Sequence, residues 1–237
     1  MSKVLHHAAI KSALSNFNSQ YLRDNRILFG GGTRIALEID EFRKSIDIDF
    51  VCPDKASYRA VRTQVNTGSL GQLVDAPFSY PREIRADRDA VRSLIKIDDT
   101  VIKLEFISFD DYSLHAEPGL KWGVPVLDRD SCFITKLLAN ADRYGVEPRK
   151  DIVDLIMMYC KWGSPSERVW DEVDRHYGTV AMDNLMSALN IVIDNPSALN
   201  HTVQVCDMDS NVVGKLKDAA ELWLDELEFD STPRIRP

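Results

Sequence analysis

Apolar and polar positions follow two rhythms along this chain, and the change falls near residue 128. Before it, short runs rich in β-branched and aromatic residues stand between helical patterns: "ILFGG" (27–31), "IDIDFVC" (46–52), "RSLIKI" (92–97), "TVIKLEFIS" (100–108) and the shorter "VPVL" (124–127). "SLIKIDDTVIKLEF" reads as a hairpin turning at Asp98 and Asp99. "MSKVLHHAAIKSALSNF" predicts an amphipathic N-terminal helix, and a second helix is expected near 55–66. "NTGSLGQLVDAPFSYPRE", full of turn formers, is expected to be a surface excursion. Beyond residue 128 nearly every segment has helical period: "DRDSCFITKLLANADRY", "RKDIVDLIMMYCKW", "SERVWDEVDRHY", "VAMDNLMSALNIVI" and "VVGKLKDAAELWLDELEF", parted by Gly, Pro, Ser or Asn breaks. The tail "DSTPRIRP" is expected to fray. The pattern predicts an α/β (α+β) domain over 1–127, a mixed sheet flanked by helices, and a helical domain over 128–237.

Strand alternation turns this pattern into chemistry. In "IDIDFVC", Ile46, Ile48 and Phe50 point one way while Asp47 and Asp49 point the other. A strand with one wet face has the same pattern without any function. In "TVIKLEFIS", Val101, Lys103, Glu105 and Ile107 share a face. If the two strands are neighbours, Glu105 joins the aspartates as a third carboxylate. Clustered carboxylates repel unless a cation neutralises them, and hard oxygen ligands with vacant positions suit Mg²⁺ shared with substrate phosphates. That is the donor set of phosphoryl or nucleotidyl transfer. Gly30, Gly31 and Gly32 follow an apolar strand and open a helical pattern, so their N–H groups are candidates to cradle phosphate, or they form only a tight turn. No Walker A lysine follows them, and the spacing is not that of a dinucleotide fingerprint.

Composition narrows the choices. With 44% hydrophobic and 28% charged residues over 237, the chain is an ordinary globular protein. No apolar run approaches the length of a membrane helix, so no membrane partner is expected and a cytoplasmic location is. The scattered Cys52, Cys132, Cys160 and Cys206 suggest small buried residues rather than a zinc or redox site, and the five histidines have no metal-binding spacing. A net charge of −8 argues against a broad nucleic-acid-binding field but allows a local basic groove. "PREIRADRDAVRSLIKI", with Arg82, Arg85, Arg88, Arg92 and Lys96, is a candidate groove or an ordinary solvated helix face. Trp122, Trp162, Trp170 and Trp223 read as core residues. In the helix after 128, Phe133, Ile134, Leu137, Leu138 and Ala141 form an apolar face, with Lys136, Asn140 and Arg143 as a polar stripe opposite.

"GGGT" followed by "RKSIDIDF" resembles the signature of the nucleotidyltransferase superfamily, and the form G-G-T…R-x-S-x-D-x-D resembles the AbiEii/AbiGii toxin-type nucleotidyltransferases. "ITKLLANADRYGVEPRKDIVDLIMM" continues the resemblance at Lys136, Arg143, Lys150, Asp151 and Asp154, so it spans roughly residues 27–158. "EIDEF" departs from the short turn that relatives carry between the two motifs. The resemblance implies a nucleotidyltransferase-like fold and Mg²⁺- or Mn²⁺-dependent transfer of an NMP from an NTP to a hydroxyl. It further implies tRNA as the acceptor, a translation-blocking toxin role in a toxin–antitoxin or phage-defence system, and a cognate antitoxin as partner. Asp47, Asp49 and Glu105 become metal ligands and catalytic acids. Gly31, Gly32, Thr33, Arg43 and Ser45 become nucleotide contacts. Lys136 goes to the triphosphate, and Asp151 becomes a functional acid beside it, both contributed by the helical domain to the cleft. Two alternatives stay open: a small-molecule acceptor, and a non-catalytic nucleotide-binding module.

Overall fold

The structure, a computed structural model, describes residues 3–231. The chain falls into two compact units, 1–132 and 133–237. The first holds α1 (Lys3–Leu14), α2 (Ser19–Asp24), β1 (Leu28–Gly30), α3 (Gly31–Glu38), β2 (Asp47–Cys52), α4 (Lys55–Gln64), a 3₁₀ turn (Gly71–Leu73), β3 (Arg85–Ala86), β4 (Ala90–Ile97) and β5 (Thr100–Ser108). Helix α5 (Arg129–Arg143) leads into the second, followed by α6 (Lys150–Trp162), α7 (Glu167–Tyr177), α8 (Val180–Asp194), α9 (Pro196–Val205) and α10 (Val212–Ser231).

The sheet is mixed, in the order β1-β2-β5-β4-β3. Strand β2 pairs antiparallel with β1 and parallel with β5, and β4 pairs antiparallel with β5 and β3. The β4–β5 hairpin turns at Asp98, in left-handed conformation, and Asp99. Alternation decides which face is dry. Ile48, Phe50, Ile102, Leu104, Phe106, Val91 and Ile95 are buried on one face, where Phe17 meets Phe50 at 4.7 Å between ring centroids and Phe50 stacks on Phe106 at 5.1 Å. Burying each such ring contributes about 1.5–3 kcal/mol, which fixes the register, since a one-residue slip would put the acids into the core. Ile46 lies just before β2 and is exposed rather than joining that face.

Several expectations are corrected. Residues 124–127 form only bridges: Phe29 donates to the Pro125 carbonyl, and Leu127 donates to that of Phe29, closing the outer edge of β1 without a full strand. The segment 66–83 is not merely a surface excursion, because Leu70, Leu73 and Phe78 are buried in the core and act as apolar anchors. The basic run 82–97 forms β3 and β4 with a turn between them rather than a helix, and pairing sets Arg85 opposite Arg92 on one face. Trp223 is fully buried, stacked on Tyr159 at 4.9 Å, whereas Trp122, Trp162 and Trp170 are only half-buried. Cys160 is exposed, while Cys52, Cys132 and Cys206 are buried. Helix α9 was hidden by the Asn-Pro dipeptide, which reads as a break. Here Asn195 caps the helix by accepting from the Ala198 N–H, and Pro196 takes the first turn, where no N–H is needed. The predicted frayed tail lies outside the described residues apart from its first two, Asp230 and Ser231, which end α10.

Candidate active site

The face of the sheet opposite the core carries the candidate residues of the first unit, and strand register arranges them in rows. One row runs Gly30, Asp49, Glu105, Arg92, Arg85 across all five strands, and beside it Asp47 stands opposite Lys103. Neighbouring strands lie about 4.8 Å apart, so a glycine, two acids and two arginines follow one another at that interval. Asp47 and Asp49 are both half-buried.

The glycine turn is built against Asp49. Gly31 has φ +68°, and a Cβ there would lie 2.3 Å from Asp49 Oδ2, so only glycine fits both the backbone conformation and the carboxylate. Gly31 begins α3, which is fixed from below by the fully buried Arg34 donating to Glu117 at 2.6 Å. Gly32 is half-buried, and Thr33 is buried with its hydroxyl donating to Ser45 at 2.7 Å. Arg43 is also buried, donating to the Lys44 carbonyl at 3.0 Å. Thr33, Arg43 and Ser45 thus brace the loop between the glycine turn and the acidic strand.

Helix α1 supplies a support that sequence reasoning missed. The Ser45 N–H donates to His7 Nε2 at 3.2 Å, while His7 Nδ1 lies 2.9 Å from Glu41 and Lys11 lies 2.5 Å from the same carboxylate. A backbone N–H can only donate, so Nε2 carries the lone pair and Nδ1 the proton, which it donates to Glu41. The signal was "LHHAAIK", where a fully buried histidine sits on an otherwise ordinary amphipathic helix. Its partners are more than 30 residues away, beyond the reach of periodicity.

Glu105 is engaged by protein cations. Arg92 Nε donates to one of its oxygens at 3.0 Å, and Lys103 Nζ donates to the other. Burial works to lower the Lys103 pKa, but the Glu105 hydrogen bond and the charges of Glu105, Asp47 and Asp49 lift it above the ordinary lysine value. The ammonium therefore feels all three carboxylates, as a bound cation would. Among the described residues, no group of three or more His, Cys, Asp or Glu side chains is gathered closely enough to hold a metal ion. The carboxylate pair Asp47 and Asp49 nevertheless fits Mg²⁺ in kind, because that ion is commonly held by one or two carboxylates with substrate phosphates and water filling its other positions.

The second unit holds a different constellation. Lys136 of α5 lies 2.9 Å from Asp151 Oδ1 and 2.8 Å from Asp154 Oδ2, both on α6. Arg143 grips Asp151 with two donors, at 2.5 and 3.1 Å. Lys136, Asp151 and Asp154 are all buried, so Lys136 is not part of a solvent-facing stripe. Burial pushes the Asp151 carboxyl up, but Lys136 and Arg143 overcome it and hold the group well below the usual carboxylate range. Asn140 is fully buried as well, its amide 3.4 Å from the Asn184 carbonyl.

The chain matches the family model described as "Nucleotidyl transferase AbiEii toxin, Type IV TA system" over residues 12–232. Among solved structures it is similar to a nucleotidyltransferase candidate from H. pylori, with 16% identity and a TM-score of 0.56 over 98% of this chain and 99% of that one. It is also similar to JHP933 from Helicobacter pylori, with 15% identity and a TM-score of 0.54 over 97% and 94% of the two chains. At that identity the likeness concerns the fold, which both share along almost their whole length. No curated protein matches the sequence. Among the described residues, no helix is long and apolar enough to cross a membrane.

Proposed function

The chain belongs to the AbiEii nucleotidyltransferase toxin family and is a nucleotidyltransferase, and from that premise we propose that it moves an NMP from an NTP to a hydroxyl of tRNA, with Mg²⁺ held by Asp47 and Asp49. The observation that carries this reading is Asp49. It stands directly opposite Glu105 and lies so close to Gly31 that no side chain fits between them. The N–H groups at the start of α3 suit the triphosphate, and the adjacent acids suit the metal that neutralises it. The ion's chemistry, when bound, is to activate the attacking oxygen and to steady the departing pyrophosphate.

The chain's own residues divide the remaining work. Glu105 has both oxygens in charge-assisted bonds, so its first role is to hold Lys103 and Arg92 on the acidic face. Ser45 and Thr33, locked by His7, keep the loop before β2 in place. In the second unit, Lys136 is held by Asp151 and Asp154 in a buried ion-pair cluster. A cognate antitoxin belongs to the same reading, and a cytoplasmic setting agrees with it.

The test is to incubate the protein with Mg²⁺, each α-labelled NTP in turn and deacylated tRNA, with Asp49→Ala as control. Label on tRNA with the wild-type protein alone is the expected result and identifies the base. Pyrophosphate release only with small hydroxyl compounds would replace the tRNA acceptor by a small molecule. Transfer that survives in Asp49→Ala would sink the site assignment.

A further inference from the structure

Away from the acidic row, the first unit has an open groove of about 670 Å³ at the C-terminal ends of β2 and β5, on the face that carries α4. Ser108 lies in it and pairs with Cys52, three residues along β2 from Asp49. At about 3.3 Å per residue that is roughly 10 Å away, and on the other face of the sheet. Four cations line the groove (Lys55, Arg59, Arg62 and Arg88) against two carboxylates, Asp89 and Asp110, a local excess of two positive charges on a chain of net charge −8. Lys55, Arg59 and Arg62 fall at i, i+4 and i+7 on the exposed side of α4, whose other side buries Tyr58 and Val61.

We propose that this groove binds the phosphodiester backbone of a nucleic acid. Three of the four cations are arginines, whose planar forks match phosphate oxygens. The α4 row rises about 10 Å from Lys55 to Arg62, close to three phosphates at about 3.4 Å of axis each. The existing ion pairs are weak competitors. Lys55 with Asp110 at 3.2 Å and Arg88 with Asp89 at 3.1 Å are largely exposed, and such pairs contribute only about 0–1 kcal/mol. Arg62 is held by the Asp87 carbonyl, and among the described residues Arg59 has no ion-pair partner. Neither the metal-binding acids nor the glycine turn is involved, so the groove needs no transfer reaction to be occupied. It gives the proposed tRNA acceptor a contact remote from the reacting hydroxyl.

The experiment measures binding of a fluorescein-labelled RNA hairpin to the full chain by anisotropy between about 50 and 200 mM salt. It compares wild type, Arg59→Ala, the double variant Arg59→Glu/Arg88→Glu, and Asp49→Ala, each checked for unchanged thermal unfolding. The expected result is a severalfold loss for Arg59→Ala, with the slope of log K against log salt reduced by about 0.7–0.9. A larger loss is expected for the double variant, with unchanged ATP binding in both. Asp49→Ala should bind RNA as wild type does, so a failed transfer assay and a failed groove give different patterns. RNA affinity equal in wild type and the double variant would overturn the proposal. So would polyglutamate competing as well as RNA at equal charge, which would make the partner an acidic protein surface.

Discussion

The acidic row on the sheet and the lysine cluster of the helical unit use the same residue types to opposite ends. On the sheet, Asp47 and Asp49 are half-buried and share a face with Glu105, whose neutralising partners Lys103 and Arg92 are themselves partly exposed. In the helical unit, Lys136 and Arg143 meet Asp151 and Asp154 in equal number, and three of the four are buried. An open acidic face keeps its capacity for a cation. A closed, balanced cluster spends its charge on itself and holds its members in place. Mutations on the sheet should therefore cost activity, and mutations in the cluster should cost stability.

The largest expected effect breaks that comparison if it fails. Asp49→Ala should lower transfer about a thousandfold, roughly 4 kcal/mol of barrier, with thermal unfolding unchanged within a degree or two. A variant that unfolds early instead would show the sheet acids to be structural. Next, Lys136→Met removes the ammonium that Asp151 and Asp154 share, leaving Arg143 on Asp151. Urea unfolding should show a loss of about 3–5 kcal/mol, the usual cost of breaking a buried ion pair by removing one partner. A loss under about 1 kcal/mol would mean that water reaches the cluster.

The pH dependence of the cluster sharpens the point. Because the folded Asp151 carboxyl is held below its ordinary value of 3.8, the unfolded chain binds more protons in that range. Stability from this group is then fully present above the ordinary value and is lost as pH falls toward the lowered one. Asp151→Asn should be less stable than wild type at pH 7, and the gap should narrow below about pH 4. The smallest effect concerns Lys103. On the proposed reading its charge competes with a divalent ion for Asp47 and Asp49, so Lys103→Met should lower the Mg²⁺ concentration for half-maximal transfer severalfold, about 1 kcal/mol. An unchanged Mg²⁺ requirement would separate Lys103 from the metal-binding acids.

Much of this architecture is legible in the sequence. The alternation in "IDIDFVC" and "TVIKLEFIS" assigned faces correctly within both strands, because a pleated strand has no other way to place successive side chains. Helical period found all the long C-terminal helices except α9, where local capping chemistry resembles a break. Within the basic run 82–97, residues 92–97 read correctly as one arm of the hairpin with β5, whereas the helix-face alternative for the run does not hold, since Arg85 lies in β3 opposite Arg92 in β4.

The sequence by itself determined most of the elements, the residue types on each strand face and the family, since these depend on local periodicity and short motifs. Tertiary structure decided who meets whom. Register put Glu105 beside Asp49 and brought Lys103 and Arg92 to it. Helix α1 delivered His7 to Ser45, and α4 brought Arg59 and Arg62 to the same groove as Arg88. Such contacts join residues tens of positions apart. Their free energy comes from burial and charge pairing across the fold, to which no local pattern in the chain is sensitive.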